Sequence, residues 1–297
     1  MNTTTVKNTN HLYALVLPFF FVVLYGSGFV GAKYGLPFSS PLSFLALRFL
    51  IAGLLLFAVV KAMKVKFPSL LKSLQIAISG AFTVGLFSIG VFVSIDMGLS
   101  PALSALIIAL QPILVAIFAK FFIGEQLTLV QWLGLGLGLL GVVLVVGHNI
   151  DVDSGISELT SVGMSIFGLL GLTIGSLYQK KYCSEMNIYA GGMIQSLASG
   201  LICIALLPFF GGYSVEWSPE FIGALLFMSI GVSIGALSLL YLMIRAGDVS
   251  KVASVFYLVP VSAAIAAYFF FGETFDILTL SGACVVALGV YLTNRSK

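Results

Sequence analysis

The chain has 297 residues, of which 60% are hydrophobic and 8% are charged, with a mean hydropathy of +1.14. Soluble domains carry about 25% charged residues, so this composition excludes an ordinary soluble protein. The formal net charge of +3 is spread along the chain and provides no basic surface, which argues against a nucleic-acid partner.

Ten apolar runs indicate ten membrane-spanning helices, because roughly 20 apolar residues cross about 30 Å of hydrocarbon. We number them spans 1 to 10 in chain order: 12–32, 41–60, 74–95, 101–122, 127–147, 161–182, 188–210, 221–242, 252–271 and 275–293. Their residues do not alternate between apolar and polar, as the strands of a membrane barrel do. The predicted fold class is therefore an all-α membrane protein in contact with the lipid bilayer.

Lysine and arginine concentrate on one side of the predicted membrane. If the N-terminus is cytoplasmic, nearly all of them lie in or beside cytoplasmic connections, whereas Lys33 lies outside and Arg48 lies within span 2. Cytoplasmic connections of membrane proteins are enriched in positive residues. We therefore expect both termini in the cytoplasm and a multi-pass location in the bacterial inner membrane.

The second part of the chain repeats the first. Residues 249–292 align with 101–144 at a constant offset of 148 without a gap, and the shared residues include the pairs Pro112/Pro260, Gly124/Gly272, Glu125/Glu273, Gly134/Gly282 and Gly141/Gly289. This predicts two five-helix repeats, 1–147 and 161–297, joined by a polar linker, 148–160. Because five is odd, the second repeat enters the membrane in the opposite direction. Inverted repeats are typical of secondary transporters, whose substrate site lies between them near the bilayer midplane.

Two motifs carry a family resemblance. YGSGFVGAKYG occupies residues 25–35 and ALRFLIAG occupies 46–53, while each half closes with a Gly-Glu hairpin and a glycine-rich helix. These features resemble the drug/metabolite transporter superfamily, specifically its EamA-like exporters, although Tyr25 stands where Trp is commoner. The resemblance covers essentially the whole chain. It implies a ten-helix bundle in which spans 1, 3, 4, 6, 8 and 9 enclose a central cavity, with spans 5 and 10 peripheral.

The repeated hairpins, Gly124–Glu125 and Gly272–Glu273, have two readings. Each Glu could couple transport to protons, since ionisable groups in membranes often belong to proton relays. The structural reading, which we favour, places each Glu at the start of the next helix, where free N–H groups and the helix dipole favour an anion. No acidic residue lies centrally in any span, so facilitated export or exchange fits better than proton antiport.

Two cations have functional and structural interpretations. Arg48 lies about two turns into span 2 and could contact an anionic substrate group, or it could snorkel or bind carbonyl groups of neighbouring helices. Lys33 ends span 1 and could be an interfacial anchor or a contact for a carboxylate or phosphate. For Arg48 we favour the structural reading, because the motif of the family occurs whatever the substrate, whereas for Lys33 the sequence favours neither reading.

Polar and aromatic faces at helical spacing predict the lining of the cavity. In span 3, Thr83, Phe87, Gly90 and Ser94 share one such face. Pro112 and Pro260 each remove a helical hydrogen bond and are candidate hinges. Small residues at these spacings also serve helix packing. With the two cations, the predicted substrate-cavity residues are Tyr25, Phe29, Lys33, Arg48, Thr83, Phe87, Gln111, Ser176, Gln179, Ser238, Tyr241 and Tyr257.

This nearly uncharged lining favours a neutral or zwitterionic small molecule, such as an amino acid, carried by alternating access. Phosphorylated cargo would require several cations at mid-depth. An exporter of amphipathic cationic drugs is the alternative, since aromatic rings attract cations, and a membrane scaffold without transport is a further one. No catalytic, metal-binding or ATP-binding motif is present, so the sequence predicts no enzyme, cofactor or metal and leaves the oligomeric state open.

Overall fold

The computed structural model describes residues 4–123, 128–149, 155–236, 238–239 and 258–295. Within these ranges the chain forms helices joined by short connections, together with one isolated β-bridge between Ser39 and Val215. The all-α fold class predicted from the sequence is confirmed.

The described helices correspond to the ten predicted spans. Six are long and apolar enough to cross a membrane: Val16–Phe38, Pro41–Ala62, Leu70–Asp96, Leu159–Tyr182, Ile188–Phe209 and Pro219–Ala236, which are spans 1, 2, 3, 6, 7 and 8. Four shorter apolar helices provide spans 4, 5, 9 and 10: Pro101–Val115, Leu129–Gly141, Val259–Phe271 and Ile277–Gly289. The regular helices extend further in five cases, to Thr4–Gly35, Gln111–Ile123, Leu129–Asn149, Gly155–Tyr182 and Ile277–Arg295.

Three spans depart from the continuous α-helices that the sequence predicted. Span 4 consists of Pro101–Ile108 and Gln111–Ile123, with a turn between them, because Pro112 has no N–H to bond the carbonyl four residues earlier. Span 3 continues from Leu70–Gly80 through a π-helical segment, Ala81–Leu86, into Phe87–Asp96. Span 8 passes from Pro219–Leu226 into a second π-helical segment, Phe227–Ala236. The two π-helical segments overlap when they are compared at the 148-residue offset of the sequence repeat.

Three helices begin with a Ser-Pro pair. Ser40, Ser100 and Ser218 each accept a hydrogen bond from a backbone N–H in the first turn, at 3.4, 3.2 and 3.1 Å. The proline follows at the first helical position, where its missing N–H removes no helical bond. These local signals therefore fix where spans 2, 4 and 8 start.

Glycine contacts bring the spans together in a pattern that relates the two halves. Span 2 packs on span 7, and span 5 packs on span 10, so each of these pairs joins helices that the predicted repeat relates. Span 3 packs on span 6, and span 8 packs on span 1, which is the same pairing at the offset of the repeat. A Cβ added to Gly141 of span 5 would lie 2.7 Å from the backbone nitrogen of Val286 in span 10, which shows how closely these helices approach.

The two ends of the bundle carry different residues. We call them the Lys33 end, where the connection after span 1 lies, and the Lys72 end, where Lys72 donates a hydrogen bond to the carbonyl of Tyr182 at 3.5 Å.

The main hydrophobic core includes a buried aromatic cluster in which Phe44 contacts Phe92 and Phe221, with ring centroids 5.2 and 5.3 Å apart.

Candidate functional site

Arg48 lies buried inside the bundle, with 8% of its surface exposed. Its Nε donates a hydrogen bond to the Ser233 hydroxyl at 3.0 Å. Its guanidinium carbon lies 5.3 and 5.7 Å from the ring centroids of Phe49 and Phe92. Tyr25 lies within electrostatic reach of the guanidinium, so spans 1, 2, 3 and 8 all contribute to its surroundings.

The π-helical segment of span 8 positions the serine that Arg48 binds. Ser233 Oγ donates to the carbonyl of Met228, five residues earlier, at 3.1 Å and accepts from Arg48. No carboxylate forms an ion pair with Arg48 in the part of the chain that the structure describes. A guanidinium has five N–H donors, and one of them is used here, so Arg48 retains the capacity to bind an anion in two-point fashion.

Two predicted cavity residues meet at the break in span 4. Gln111 donates from Nε2 to the Ser176 hydroxyl of span 6 at 3.0 Å. That hydroxyl donates in turn to the carbonyl of Leu172 at 2.6 Å. Both side chains are half-buried. The contact links the first and second halves of the chain through neutral groups.

A second neutral network connects spans 3, 6 and 7. Gln179 Oε1 accepts hydrogen bonds from Ser79 Oγ at 3.1 Å and from Gln195 Nε2 at 3.0 Å. Ser199 donates to the carbonyl of Gly80 at 3.1 Å, where the π-helical segment of span 3 begins. Thr83 donates back to the carbonyl of Ser79 at 2.8 Å. Gln179 therefore lies at the centre of a network with partners that the sequence had not indicated.

The predicted polar face of span 3 packs largely against span 6. A Cβ added to Gly175 of span 6 would meet the Thr83 methyl group at 2.6 Å, and Gly90 packs against the backbone of Gly168 in the same helix. Ser94 is fully buried near Ser104. Thr83 and Phe87 remain half-buried, while Gly90 and Ser94 contribute to helix packing.

The other predicted cavity residues occupy varied positions. Phe29 is buried in the main core, and Tyr25 stacks on Phe21 with ring centroids 5.4 Å apart. Ser238 is half-buried. Tyr241 and Tyr257 lie outside the described residues, as do Gly124 and Glu125.

Lys33 and Glu273 form an ion pair at the Lys33 end of the bundle. The Lys33 ammonium also lies 4.8 Å from the centroid of the Phe271 ring. Glu273 therefore does not start the last helix, as the sequence had suggested. Helix Ile277–Arg295 is capped instead by Asp276, whose carboxylate accepts from the backbone N–H of Thr279 at 2.8 Å. Gly272 has φ of +67°, a left-handed turn that glycine adopts without strain.

Pro112 and Pro260 occupy equivalent places in the first turn of a helix segment. Pro112 follows the turn at 109–110, and Pro260 follows Leu258, the first described residue of span 9. Pro112 therefore lies where span 4 can bend without loss of a hydrogen bond from the segment that it starts.

A cavity of about 430 Å³ lies between spans 4, 9 and 10. Its lining is almost entirely apolar and includes Leu106, Pro260, Ala264, Tyr268 and Cys284. It contains none of the predicted substrate-cavity residues. Residues 240–257 of spans 8 and 9 lie outside the described ranges, so the predicted central cavity is described only in part.

Three polar residues that the sequence reading missed belong to these networks: Ser79, Gln195 and Ser233. Gln195 was detectable as an amide within an apolar span, but the family resemblance placed span 7 away from the cavity. Ser79 and Ser233 resemble the many serines that only pack helices. Across the described residues, His, Cys, Asp and Glu form no cluster suited to a metal ion.

A family model described as "EamA-like transporter family" matches residues 12–147 and again residues 159–295. A chloroplastic WAT1-related protein of Arabidopsis thaliana is 29% identical, over 94% of this chain and 68% of its own length. An uncharacterized transporter of Bacillus subtilis, YvbV, is 28% identical over 96% of this chain and 92% of its own. A "probable amino-acid metabolite efflux pump" of Salmonella typhimurium is 24% identical over 91% of both chains.

The fold is also shared with a protein of known crystal structure. The two structures superpose with a TM-score of 0.66, covering 94% of this chain and 95% of the other, at 17% sequence identity. Identity this low shows a common fold alone.

Proposed function

Because the chain belongs to the EamA-like transporter family, we propose that it moves small neutral or zwitterionic metabolites, such as amino acids, across the membrane by alternating access. Relatives in this family are named transporters, so the chain is a membrane transporter and not an enzyme. The substrate class and the mechanism are the parts that we propose.

The observation that carries the proposal is Arg48, the one buried cation among the residues whose burial the structure describes, which is bound to a neutral serine. A carboxylate placed beside it would accept charge-assisted hydrogen bonds from the free guanidinium N–H groups. Hydrogen bonds to charged groups contribute about 1.5–3 kcal/mol each. One cation in the core matches one carboxylate, whereas a phosphorylated substrate would require more positive charge.

Neutral groups around the core suit the remainder of such a substrate. The Gln111–Ser176 contact provides an amide and a hydroxyl that can exchange partners without gaining or losing charge. Aromatic rings near Arg48 add apolar and polarizable contacts. The printed name of the Salmonella relative, an amino-acid metabolite efflux pump, supports the same substrate class.

We propose two five-helix repeats, 1–147 and 161–297, in which the second is inverted relative to the first. The repeated match of the family model and the related packing of spans 3 with 6 and 8 with 1 support this division. Both termini would face the cytoplasm of a bacterial cell, since lysines crowd the Lys72 end. Lys66→Cys should react with an impermeant maleimide only from the cytoplasm and Tyr213→Cys only from outside. The reverse pattern would overturn this orientation.

Flux in vesicles tests the proposed substrate class. Purified protein should transport radiolabelled phenylalanine and discriminate against phenethylamine, which lacks only the carboxylate. Arg48→Gln should weaken phenylalanine binding by about tenfold or more, since a charge-assisted bond is lost. Arg48→Lys should recover part of it, because the charge remains and the two-point geometry does not.

A matched control separates this effect from a change in net charge. Lys61→Gln removes one positive charge from an exposed site near the end of the same helix and should leave flux unchanged. Preferential transport of phenethylamine would favour the drug-exporter alternative. Absence of flux for either solute would favour the scaffold.

A further inference from the structure

The two halves of the chain are joined by backbone hydrogen bonds at the Lys33 end. The connection between spans 1 and 2 binds the connection between spans 7 and 8. Ser40 N–H donates to the carbonyl of Ser214 at 3.1 Å, and Glu216 N–H donates to the carbonyl of Phe38 at 2.7 Å. The Ser39–Val215 bridge lies between these bonds. This end is therefore closed by contacts between the halves.

The ion pair between Lys33 and Glu273 joins the halves at the same end. Lys33 ends span 1 and is 37% exposed, whereas Glu273 lies between spans 9 and 10 and is 16% exposed. The second carboxylate oxygen of Glu273, Oε2, is buried and has no hydrogen-bond partner. When the pair separates, this oxygen gains access to water, and its hydration offsets part of the lost attraction. The contact can therefore hold the end closed and still be broken.

Among the described residues, the opposite end shows no equivalent backbone contact between the halves. The repeat relates the two connections of the Lys33 end to residues 63–69, between spans 2 and 3, and residues 183–187, between spans 6 and 7. Both of these connections lie entirely within the described ranges, and no backbone hydrogen bond joins them. Lys72 reaches Tyr182 through one long, exposed bond of 3.5 Å. Lys181, which lies 148 positions after Lys33, is exposed over the Tyr182 ring and has no carboxylate partner among described residues.

We infer that Lys33 and Glu273 form the gate of the Lys33 end: their ion pair closes this end in the present conformation and separates when the end opens during transport. The inference rests on the proposed transport function. It assigns both residues a positioning role in the conformational cycle instead of contact with substrate. An inverted-repeat transporter closes its two ends alternately, and the difference between the ends fits a conformation closed at the Lys33 end.

Cysteine accessibility and cross-linking test the gate in a background where Cys183, Cys203 and Cys284 are replaced by alanine. Phe29→Cys is the reporter, because Phe29 lies one turn deeper than Lys33 on the same side of span 1 and is 4% exposed. An impermeant maleimide is applied to oriented vesicles from the face on which Tyr213→Cys reacts. Glu273→Gln should label the reporter severalfold faster than the parent. The exchanged pair, Lys33→Glu with Glu273→Lys, should restore slow labelling.

Cross-linking supplies a second measurement that does not depend on the reporter folding correctly. A reducible bis-methanethiosulfonate reagent that bridges Lys33→Cys and Glu273→Cys should stop phenylalanine flux, and reductant should restore it. Unchanged labelling in Glu273→Gln, or flux that persists through a complete cross-link, would overturn the gate. The labelling experiment requires no substrate. If the parent protein shows no flux, the proposed function is contradicted, but the labelling rates still decide whether Lys33 and Glu273 form a gate.

Discussion

At the scale of single residues, the position of Glu273 shows what a local pattern can predict and what it cannot. The sequence identified a repeated Gly-Glu hairpin, and Gly272 does make a left-handed turn. The partner of Glu273 is Lys33, 240 positions away along the chain, so no local spacing could indicate it. Ser233 and Arg48 are separated by 185 positions and were missed as a pair for the same reason.

Asp276 provides a prediction at this scale. Its carboxylate accepts from the third N–H of helix Ile277–Arg295, and its carbonyl accepts from Leu280 N–H at 3.1 Å. Asp276→Ala should lower the free energy of unfolding by about 1 kcal/mol, the typical loss for an N-cap. Asp276→Asn, which keeps an acceptor oxygen, should lose much less. Thermal unfolding in detergent measures both, and equal losses would contradict the capping role.

At the scale of helices, hydropathy predicted where the spans lie but not their internal form. Apolar runs report length and average composition, and a π-helical turn or a break changes neither. The proline of span 4 was visible in the sequence, yet its position in the first turn of a new segment depends on the preceding turn at 109–110.

The contact between spans 5 and 10 gives a prediction about helices. A Cβ at Gly141 would meet Val286 N at 2.7 Å and Gly282 O at 2.8 Å, both backbone atoms that cannot move aside. Gly141→Leu should therefore destabilise the protein by about 1–3 kcal/mol through overpacking. Gly136→Leu on the same helix is the matched control, because an added Cβ there meets nothing within 4 Å.

The control isolates the clash from helix propensity. Both substitutions replace glycine with a better helix former, which alone favours the helix by about 0.8–1 kcal/mol. Gly136→Leu should therefore be neutral or stabilising, while Gly141→Leu lowers the unfolding temperature. Equal shifts in both variants would mean that spans 5 and 10 do not approach as closely as the structure shows.

At the scale of the whole molecule, the sequence repeat was the most informative feature. It relates span 2 to span 7 and span 5 to span 10, and these helices pack on each other, while the division into two repeats stays a prediction. It could not predict that the two ends would differ. Two halves with related local patterns can adopt two arrangements, and which end closes depends on contacts between connections, such as Phe38 with Glu216.

Pro112 and Pro260 lead to a prediction about the whole cycle. Each proline lacks the N–H that would bond the carbonyl four residues earlier, so Pro→Ala adds a donor at that bend and favours a straighter span. If the second half is inverted relative to the first, as we propose, straightening one span should favour closure of one end, and straightening the other should favour closure of the opposite end. The effect is a shift in the populations of the two conformations, without a change in fold.

Two reporters on opposite sides of the core distinguish these populations. Phe29→Cys reports access from the Lys33 end, and Gln75→Cys, half-buried in span 3, reports access from the Lys72 end. Each reporter is combined with Pro112→Ala and with Pro260→Ala. One proline variant should raise labelling at Phe29→Cys and lower it at Gln75→Cys. The other proline variant should lower labelling at Phe29→Cys and raise it at Gln75→Cys. Changes in the same direction, or labelling equal to the parent at both reporters, would remove the hinge role. The prolines would then serve only to start their helical segments, as Pro41, Pro101 and Pro219 do in spans 2, 4 and 8.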